Sequence, residues 1–385
     1  MKKFSITLVL SAFLTIFMCG VISAGGVAEA AGEIDVSAQS AYVCDFESGT
    51  VIYAKNEKQK LSIASMTKIM LLDLAFEKIE SGEFSLNDEI TVSSNASGMG
   101  GSQVFLETGG IYKVGDLIKS IVVASANDAS VAVAEHLYGS EQCAVDAMNG
   151  KADELGLKNT VFSNCTGLMK PTQYSTAEDV AKMLASLIRH DDYFKYSGIY
   201  LDEIEHSGGR KTTITNTNKL VRFYSGCDGG KTGYTSESGF CLAATAKRGS
   251  MRLIAVVIKE SDGKTRFKDV SACFDYGFAN YSAKTVLDKD VPAEVKVKVT
   301  GGKIATAKIK PQKSLYVFGR KNQKDDIKIE FTPDQKIKAP LFEGDEVGRF
   351  TVYKDGVKFG EVAAVSAQNI TEKNYFDYIA DITKG

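Results

Sequence analysis

Ser65-Met66-Thr67-Lys68 heads a run, residues 66–79, in which Ile69, Leu72, Phe76 and Ile79 recur at three- and four-residue steps. That spacing predicts a helix with one buried face. Ser65 and Lys68 are one turn apart, so both can face the same side where the helix begins. A serine hydroxyl is a poor nucleophile at neutral pH and needs a base within hydrogen-bond reach. Lysine serves as that base only when burial or nearby positive charge lowers its pKa. The partly positive helix start favours an alkoxide-like serine and a neutral lysine alike. Taken alone, so short a pattern reads more readily as an exposed serine cap followed by a solvated lysine. Two later stretches reverse that reading.

The chain has 385 residues, 44% of them hydrophobic and 24% charged. Those proportions suit a globular protein of two or three domains. A net charge of -2, with no basic stripe interleaved with aromatics, gives no basis for nucleic-acid binding. Lys2 and Lys3 precede an apolar run over 4–22, and small residues including Ala28, Ala30 and Ala31 follow. This pattern predicts a secretory signal over 1–31, with cleavage after Ala30 or Ala31 favoured over Ala24. The alternative is an uncleaved anchor, because the run approaches the lower length limit for a membrane span. Met18 is a poor residue to precede Cys19 in a lipoprotein signal. Six cysteines remain beyond the leader: Cys44, Cys143, Cys165, Cys227, Cys241 and Cys273. Their spacing shows neither a disulfide framework nor a C-x-x-C metal pair. Cys44, Cys241 and Cys273 sit in apolar runs and read as buried free thiols; a single disulfide stays open.

Strand-like runs at 41–46 and 51–54 flank a Gly-bearing turn and predict a hairpin. The Ser65 helix follows, then a Gly- and Ser-rich loop over 95–110. Helices are predicted over 114–124, 129–138, 144–155 and 176–189, the last capped by Thr176 with Asp179 three residues on. Ser125-Ala126-Asn127-Asp128 is a short polar break between the first two. Apolar runs at 239–246 and 251–258, joined by a turn at 247–250, predict a second hairpin near the centre of a sheet. A helix over 266–281 closes the first unit. Helices gathered between strands argue an α+β class. From 282 the texture changes to short period-two runs at 295–300, 315–317, 327–331, 348–353 and 358–365. A small all-β domain over 282–370 is expected, then a weakly amphipathic tail over 371–385.

Three elements belong together: Ser65-x-x-Lys68, Ser125-x-Asn127 and Lys231-Thr232-Gly233. With them the chain resembles the penicillin-binding proteins and serine β-lactamases. Most closely it resembles the low-molecular-mass D-alanyl-D-alanine carboxypeptidases, the penicillin-binding protein 5 type of peptidase family S11. The likeness runs over residues 41–281 and more loosely beyond. It includes Ser62-Ile63-Ala64, Gly101-Ser102-Gln103-Val104-Phe105-Leu106, Gly156-Leu157-Lys158-Asn159-Thr160-Val161-Phe162, Asn216-Thr217-Asn218 and Gly230 through Thr235. The resemblance implies a transpeptidase-like α+β domain over 32–281, with an antiparallel sheet and a helical cluster.

It also implies the chemistry. Ser65 would attack the carbonyl between two D-alanines and become acylated, with Lys68 taking its proton. Ser125 would relay a proton to the leaving amine. Asn127 would hold the substrate amide and restrain Lys68. Lys231 would favour a neutral Lys68 and, with Thr232, receive the terminal carboxylate. Gly233 would let the backbone come close. The N–H groups of Ser65 and Tyr234 would form an oxyanion hole, a contribution of about 3 kcal/mol per donor. β-Lactams would acylate Ser65. Arg266 falls where the family has an arginine near the carboxylate site; read from its neighbours alone it is a surface cap on a helix. Thr217 stands where a family arginine is found, and Tyr234 where some relatives carry histidine.

No metal site or cofactor is expected. His136, His190 and His206 fit no H-E-x-x-H, no G-x-S-x-G elbow occurs, and Gly230-Lys231-Thr232 lacks the upstream glycine of a phosphate loop. Gly98-Met99-Gly100-Gly101 lacks the third glycine of a dinucleotide loop. Lys296, Lys298, Lys308 and Lys310 alternate with apolar residues and read as a solvated strand face. A serine β-lactamase is the first alternative, disfavoured because no E-x-x-L-N lies between Asn127 and Lys231. A non-catalytic β-lactam sensor or wall-binding module is the second. The expected partners are a peptidoglycan pentapeptide and β-lactams. The protein is expected to be an exported monomer, outside the cytoplasm, at the cell wall or the outer face of the cytoplasmic membrane. Its tail, with Asp377 and Asp381 and no basic face, predicts weak or absent membrane contact.

Overall fold

The computed structural model describes residues 34–384. The expected leader, its cleavage positions and Cys19 lie outside the described residues. The chain opens with strands β1 (Ser40–Asp45) and β2 (Val51–Lys55), the expected hairpin. Helix α1 (Lys68–Glu80) follows one tight turn over Ala64–Thr67. Short strand β3 (Glu89–Thr91), short helix α2 (Ser94–Ser97) and strand β4 (Ile111–Lys113) lead into α3 (Val114–Ala124). Helices α4 (Asn127–Tyr138), α5 (Glu141–Glu154), α6 (Ala177–Leu187) and α7 (Phe194–Ser197) complete a cluster. The Thr176 hydroxyl accepts from the Asp179 N–H, as its position predicted. A hairpin of β5 (Leu201–Glu205) and β6 (Lys211–Thr215), with α8 (Leu220–Phe223), precedes β7 (Cys227–Thr235), β8 (Gly239–Arg248) and β9 (Met251–Glu260). Helix α9 (Thr265–Asn280) returns over the sheet.

The main sheet is antiparallel, in the order β2-β1-β9-β8-β7. Its apolar runs are explained by two cores, one on each face. Cys241, Ala243, Ile254, Val256 and Ile258 point into the helical cluster. Leu242, Ala244, Ala246, Leu253, Ala255 and Val257 point the other way, against Val270, Cys273 and Phe274 of α9. Period-two alternation therefore feeds both layers, which is why no polar face shows in the sequence.

Helix α1 departs from the expected one-sided pattern. From Lys68 to Phe76 every residue is buried, because α4, α5 and α6 pack around it. Only its last turn reaches solvent. Burying side chains such as Ile69, Leu71, Leu72 and Phe76 contributes roughly 1.5–3 kcal/mol each. It also carries Lys68 into the interior.

Beyond α9 come β10 (Tyr281–Leu287), β11 (Lys296–Lys298), β12 (Thr306–Pro311), β13 (Leu315–Arg320), β14 (Ile327–Pro333), β15 (Glu346–Lys354) and β16 (Val357–Ser366). Five of them form an antiparallel sheet in the order β11-β12-β16-β15-β14, and β10 pairs with β13. Val297, Val299, Ala307, Ile309, Val347, Phe350 and Val362 make a separate core. The Tyr281 and Phe318 rings stack where this unit meets the first. Helix α10 (Tyr375–Lys384) ends the chain, tied back by an ion pair from Lys303 to Asp377 at 3.4 Å. Among the described residues no helix is long and apolar enough to cross a membrane.

Candidate active site

Ser65 lies in the tight turn before α1, and Lys68 is the first residue of the helix proper. The 3₁₀ geometry, three residues per turn, brings residues i and i+3 into register. Lys68 Nζ is 2.9 Å from Ser65 Oγ and donates to the Thr166 carbonyl at 2.6 Å. The Lys68 side chain is fully buried, and among the described residues no carboxylate pairs with it. Burial pushes its pKa from an ordinary 10.5 down to about 7; Cys165 and Asp128 pull weakly the other way.

A second pair faces the first. Ser125 caps α3 in a left-handed conformation, φ +61°, and the chain turns straight into α4. Its Oγ accepts from Lys231 Nζ at 2.6 Å. Lys231 sits mid-strand on β7, buried, and also donates to the Thr232 carbonyl at 3.3 Å. Burial, and then the charges of Lys68 and Arg266, push Lys231 well below the usual lysine range. The sequence reading made Lys231 the cause of Lys68's neutrality. Burial leads at Lys68 instead, and the repulsion between the two is felt at Lys231. Two buried amines without a carboxylate do not both hold a proton.

Gly233 lies where β7 passes the nucleophile turn. A Cβ there would sit 2.5 Å from the Ile63 carbonyl and 3.4 Å from the Ser65 nitrogen. Only glycine lets the strand approach this closely. Thr232 is buried beside Lys231, whereas Tyr234 is 57% exposed with its ring 4.3 Å from that of Phe240. Arg266 is not a surface cap. It lies in the first turn of α9, and its Nη1 donates to the Gly233 and Cys241 carbonyls at 3.2 and 3.3 Å. Its Nε is buried without a partner. Asn127 begins α4 and uses its Nδ2 on the Gly100 carbonyl at 2.7 Å, leaving Oδ1 buried and unpartnered. The expected restraint of Lys68 by Asn127 is not made here; Thr166 supplies it.

The loop 163–168 was missed from sequence. Asn164 Oδ1 accepts from the N–H groups of Thr166 and Gly167, and Asn164 Nδ2 donates to the Leu168 carbonyl. Gln173 Oε1 accepts from the N–H groups of Ser163 and Asn164, while its Nε2 reaches Thr67. This network aims the Thr166 carbonyl at Lys68. Gly167, at φ +83°, lies so close that a Cβ would be 2.0 Å from the Ala64 carbonyl. No periodicity marks these residues, and they lie about 100 positions from Ser65; the left-handed glycine was the one local signal. Thr217, in the departure noted above, lies between Asn216 and Asn218, which brace the chain near α7 and β7 through Ser197 and Gly229.

A serine beside a buried lysine at the head of a central helix, faced by a second serine at the α3–α4 junction that accepts from a lysine on the edge strand β7, defines the active-site-serine class with the penicillin-binding fold. Residues 27–262 match the family described as D-alanyl-D-alanine carboxypeptidase, peptidase S11, and residues 281–372 match the penicillin-binding protein 5 C-terminal domain. The chain belongs to the S11 D-alanyl-D-alanine carboxypeptidases, a family of serine enzymes that bind β-lactams. It is 38% identical to the D-alanyl-D-alanine carboxypeptidase DacF of Bacillus subtilis, over 90% of this chain and 89% of that one. It is 30% identical to DacC of Escherichia coli, over 96% and 93%. Penicillin-binding protein 5 from Haemophilus influenzae superposes with a TM-score of 0.69 at 28% identity, covering 89% of this chain and 99% of that one.

Proposed function

We propose that the protein removes the terminal D-alanine from peptidoglycan stem pentapeptides through an acyl-enzyme on Ser65. The observation that carries this reading is the 2.9 Å contact between Ser65 Oγ and the buried, carboxylate-free amine of Lys68. In this mechanism neutral Lys68 accepts the Ser65 proton as Oγ attacks the penultimate carbonyl. The C–N bond then breaks, and the proton passes by way of the Ser125 hydroxyl to the leaving amine. A water molecule next attacks the ester and gives a proton to Lys68, which returns it to Ser65 Oγ as the ester C–O bond breaks, restoring the free serine and the neutral amine. The Ser65 and Tyr234 N–H groups stabilise the oxyanion. The Lys231 ammonium and Thr232 receive the substrate's terminal carboxylate, and that negative charge draws the Lys231 pKa back up. Arg266 adds positive charge from behind Gly233, and Asn127 orients the peptide. A β-lactam occupies the same cleft and acylates Ser65.

The same reading divides the chain into a leader over 1–31, a peptidase domain over 32–281, a β domain over 282–370 and a tail over 371–385. It makes the protein an exported monomer, outside the cytoplasm, with weak or no membrane contact through the tail. The test is mass spectrometry of a pentapeptide muropeptide incubated with wild type and with Ser65→Ala. Loss of one alanine residue with wild type only is expected. Wild type that labels with fluorescent penicillin yet releases no D-alanine overturns the carboxypeptidase reading in favour of a sensor.

A further inference from the structure

Antiparallel pairing sets Lys296 of β11 directly opposite Lys308 of β12, both exposed. Like charges so placed repel. Alternation puts Lys298 on the same face, while Val297, Val299, Ala307 and Ile309 turn into the core. On the other side of β11 a parallel bridge joins Thr300 to Lys338, through Thr300 N–H to Ile337 O and Ala339 N–H to Thr300 O. That bridge brings Lys338, and Lys336 two residues before it, onto the same surface. Where the two segments diverge, a cleft of about 440 Å³ opens. Lys296 and Lys298 line one wall, Lys336 the other, with Phe331 and Ile337 between them.

None of these five lysines pairs with a carboxylate among the described residues. Elsewhere in the same unit Lys310, Lys328, Lys354 and Lys358 each do. Asp334 is the one carboxylate lining the cleft, and its charge also acts on Arg349. Part of the solvated strand face expected from sequence is thus one wall of a trough, with Lys296 and Lys298 on that wall and Lys336, near Asp334, on the other.

We propose that this trough binds a linear phosphodiester polymer, a flexible chain with one negative charge per repeat. Lys296 and Lys298, about 7 Å apart along the strand, offer point charges to successive phosphates with Lys336 across the cleft, and Lys308, about 5 Å from Lys296 on the neighbouring strand, adds to the field from outside it. A concave, two-walled cleft admits a single chain; a flat bilayer surface meets only its rims. The occupied trough relieves the Lys296–Lys308 repulsion that the empty one retains.

Fluorescence anisotropy with labelled, lipid-free poly(glycerol phosphate) and the full chain tests this. Three to five contacts predict binding roughly 20- to 100-fold weaker at 200 mM than at 50 mM salt, by counterion release. The triple variant Lys296→Gln, Lys298→Gln, Lys336→Gln is expected to bind about tenfold or more weaker, with a flatter salt slope. It keeps full penicillin labelling of Ser65, which separates this proposal from the catalytic one. Its melting temperature should equal or exceed wild type, so lost binding is not unfolding. Lys308→Gln alone should also weaken binding, and the ion-paired control Lys310→Gln with Lys358→Gln should not. The proposal is overturned by no binding at 50 mM salt, by undiminished binding of the triple variant, or by tighter binding to phosphatidylglycerol vesicles or single-stranded nucleic acid.

Discussion

Lys68 concentrates the chemistry in one side chain, and its behaviour with pH follows from where it is buried. A folded-state pKa near 7 leaves the amine neutral only above that value. Acylation of Ser65 by a β-lactam should therefore rise with pH through about 7, a limb that stopped-flow labelling resolves. The sign for stability is the same. The unfolded chain holds this proton up to about 10.5 and the folded one does not above about 7, so folding stability gains from this group as pH rises between them. Lys231 acts in the same direction. Lys68→Met should lower acylation by about 10²–10⁴ while leaving the melting temperature equal or higher, because a buried amine gives way to an apolar chain of similar length. A sharp drop in melting temperature instead would show that Lys68 is held for structure. At this scale the sequence was legible where a residue's partner is near in the chain, as for Ser65 and Lys68. It was silent on Thr166, whose contribution is a backbone carbonyl that any residue type carries.

Strand β7 and the loop 163–168 both press against the turn that carries the nucleophile, and glycine makes both approaches possible. Gly167→Ala would place a methyl 2.0 Å from the Ala64 carbonyl at φ +83°, and Gly233→Ala would place one 2.5 Å from the Ile63 carbonyl. Both carbonyls belong to the backbone, so neither moves cheaply. Each variant should lose several kcal/mol of stability or displace Ser65, read as a lower melting temperature together with slower penicillin labelling. Gln173→Ala frees the N–H groups of Ser163 and Asn164 without touching the cleft. It should slow acylation and shift the pH limb set by Lys68, whereas a purely structural role would lower the melting temperature and leave the limb in place. Among the elements, α3 was read from sequence to its ends, because apolar spacing and a polar break bound it. The hairpin of β5 and β6 was missed, since its exposed polar positions resemble a loop. Strand β12 was read only as lysines 308 and 310 alternating with apolar residues, without bounds, although Gly301-Gly302 precedes it and Pro311 ends it.

Across the whole molecule, the six cysteines beyond residue 33 are free thiols, five of them buried. Reducing agent should leave the melting temperature unchanged; a fall of several degrees would reveal a disulfide. Helix α10 exposes Tyr375 and Phe376 but anchors Asp377 on Lys303. Flotation with anionic vesicles should differ little between the full chain and one ending at 371, and a clear loss on truncation would reverse that expectation. Residue order alone was enough for the fold class and the three motifs, because each motif is local and its chemistry is set by residue type. Packing alone settles that Lys68 and Lys231 are both buried and feel each other's charge, that Thr166 rather than Asn127 holds the first of them, and that Arg266 lies behind Gly233. Those outcomes depend on which surfaces are buried against which. Spacing along the sequence marks which face of one element is apolar, but it does not say which other element packs against it, and a buried lysine carries no apolar signal at all.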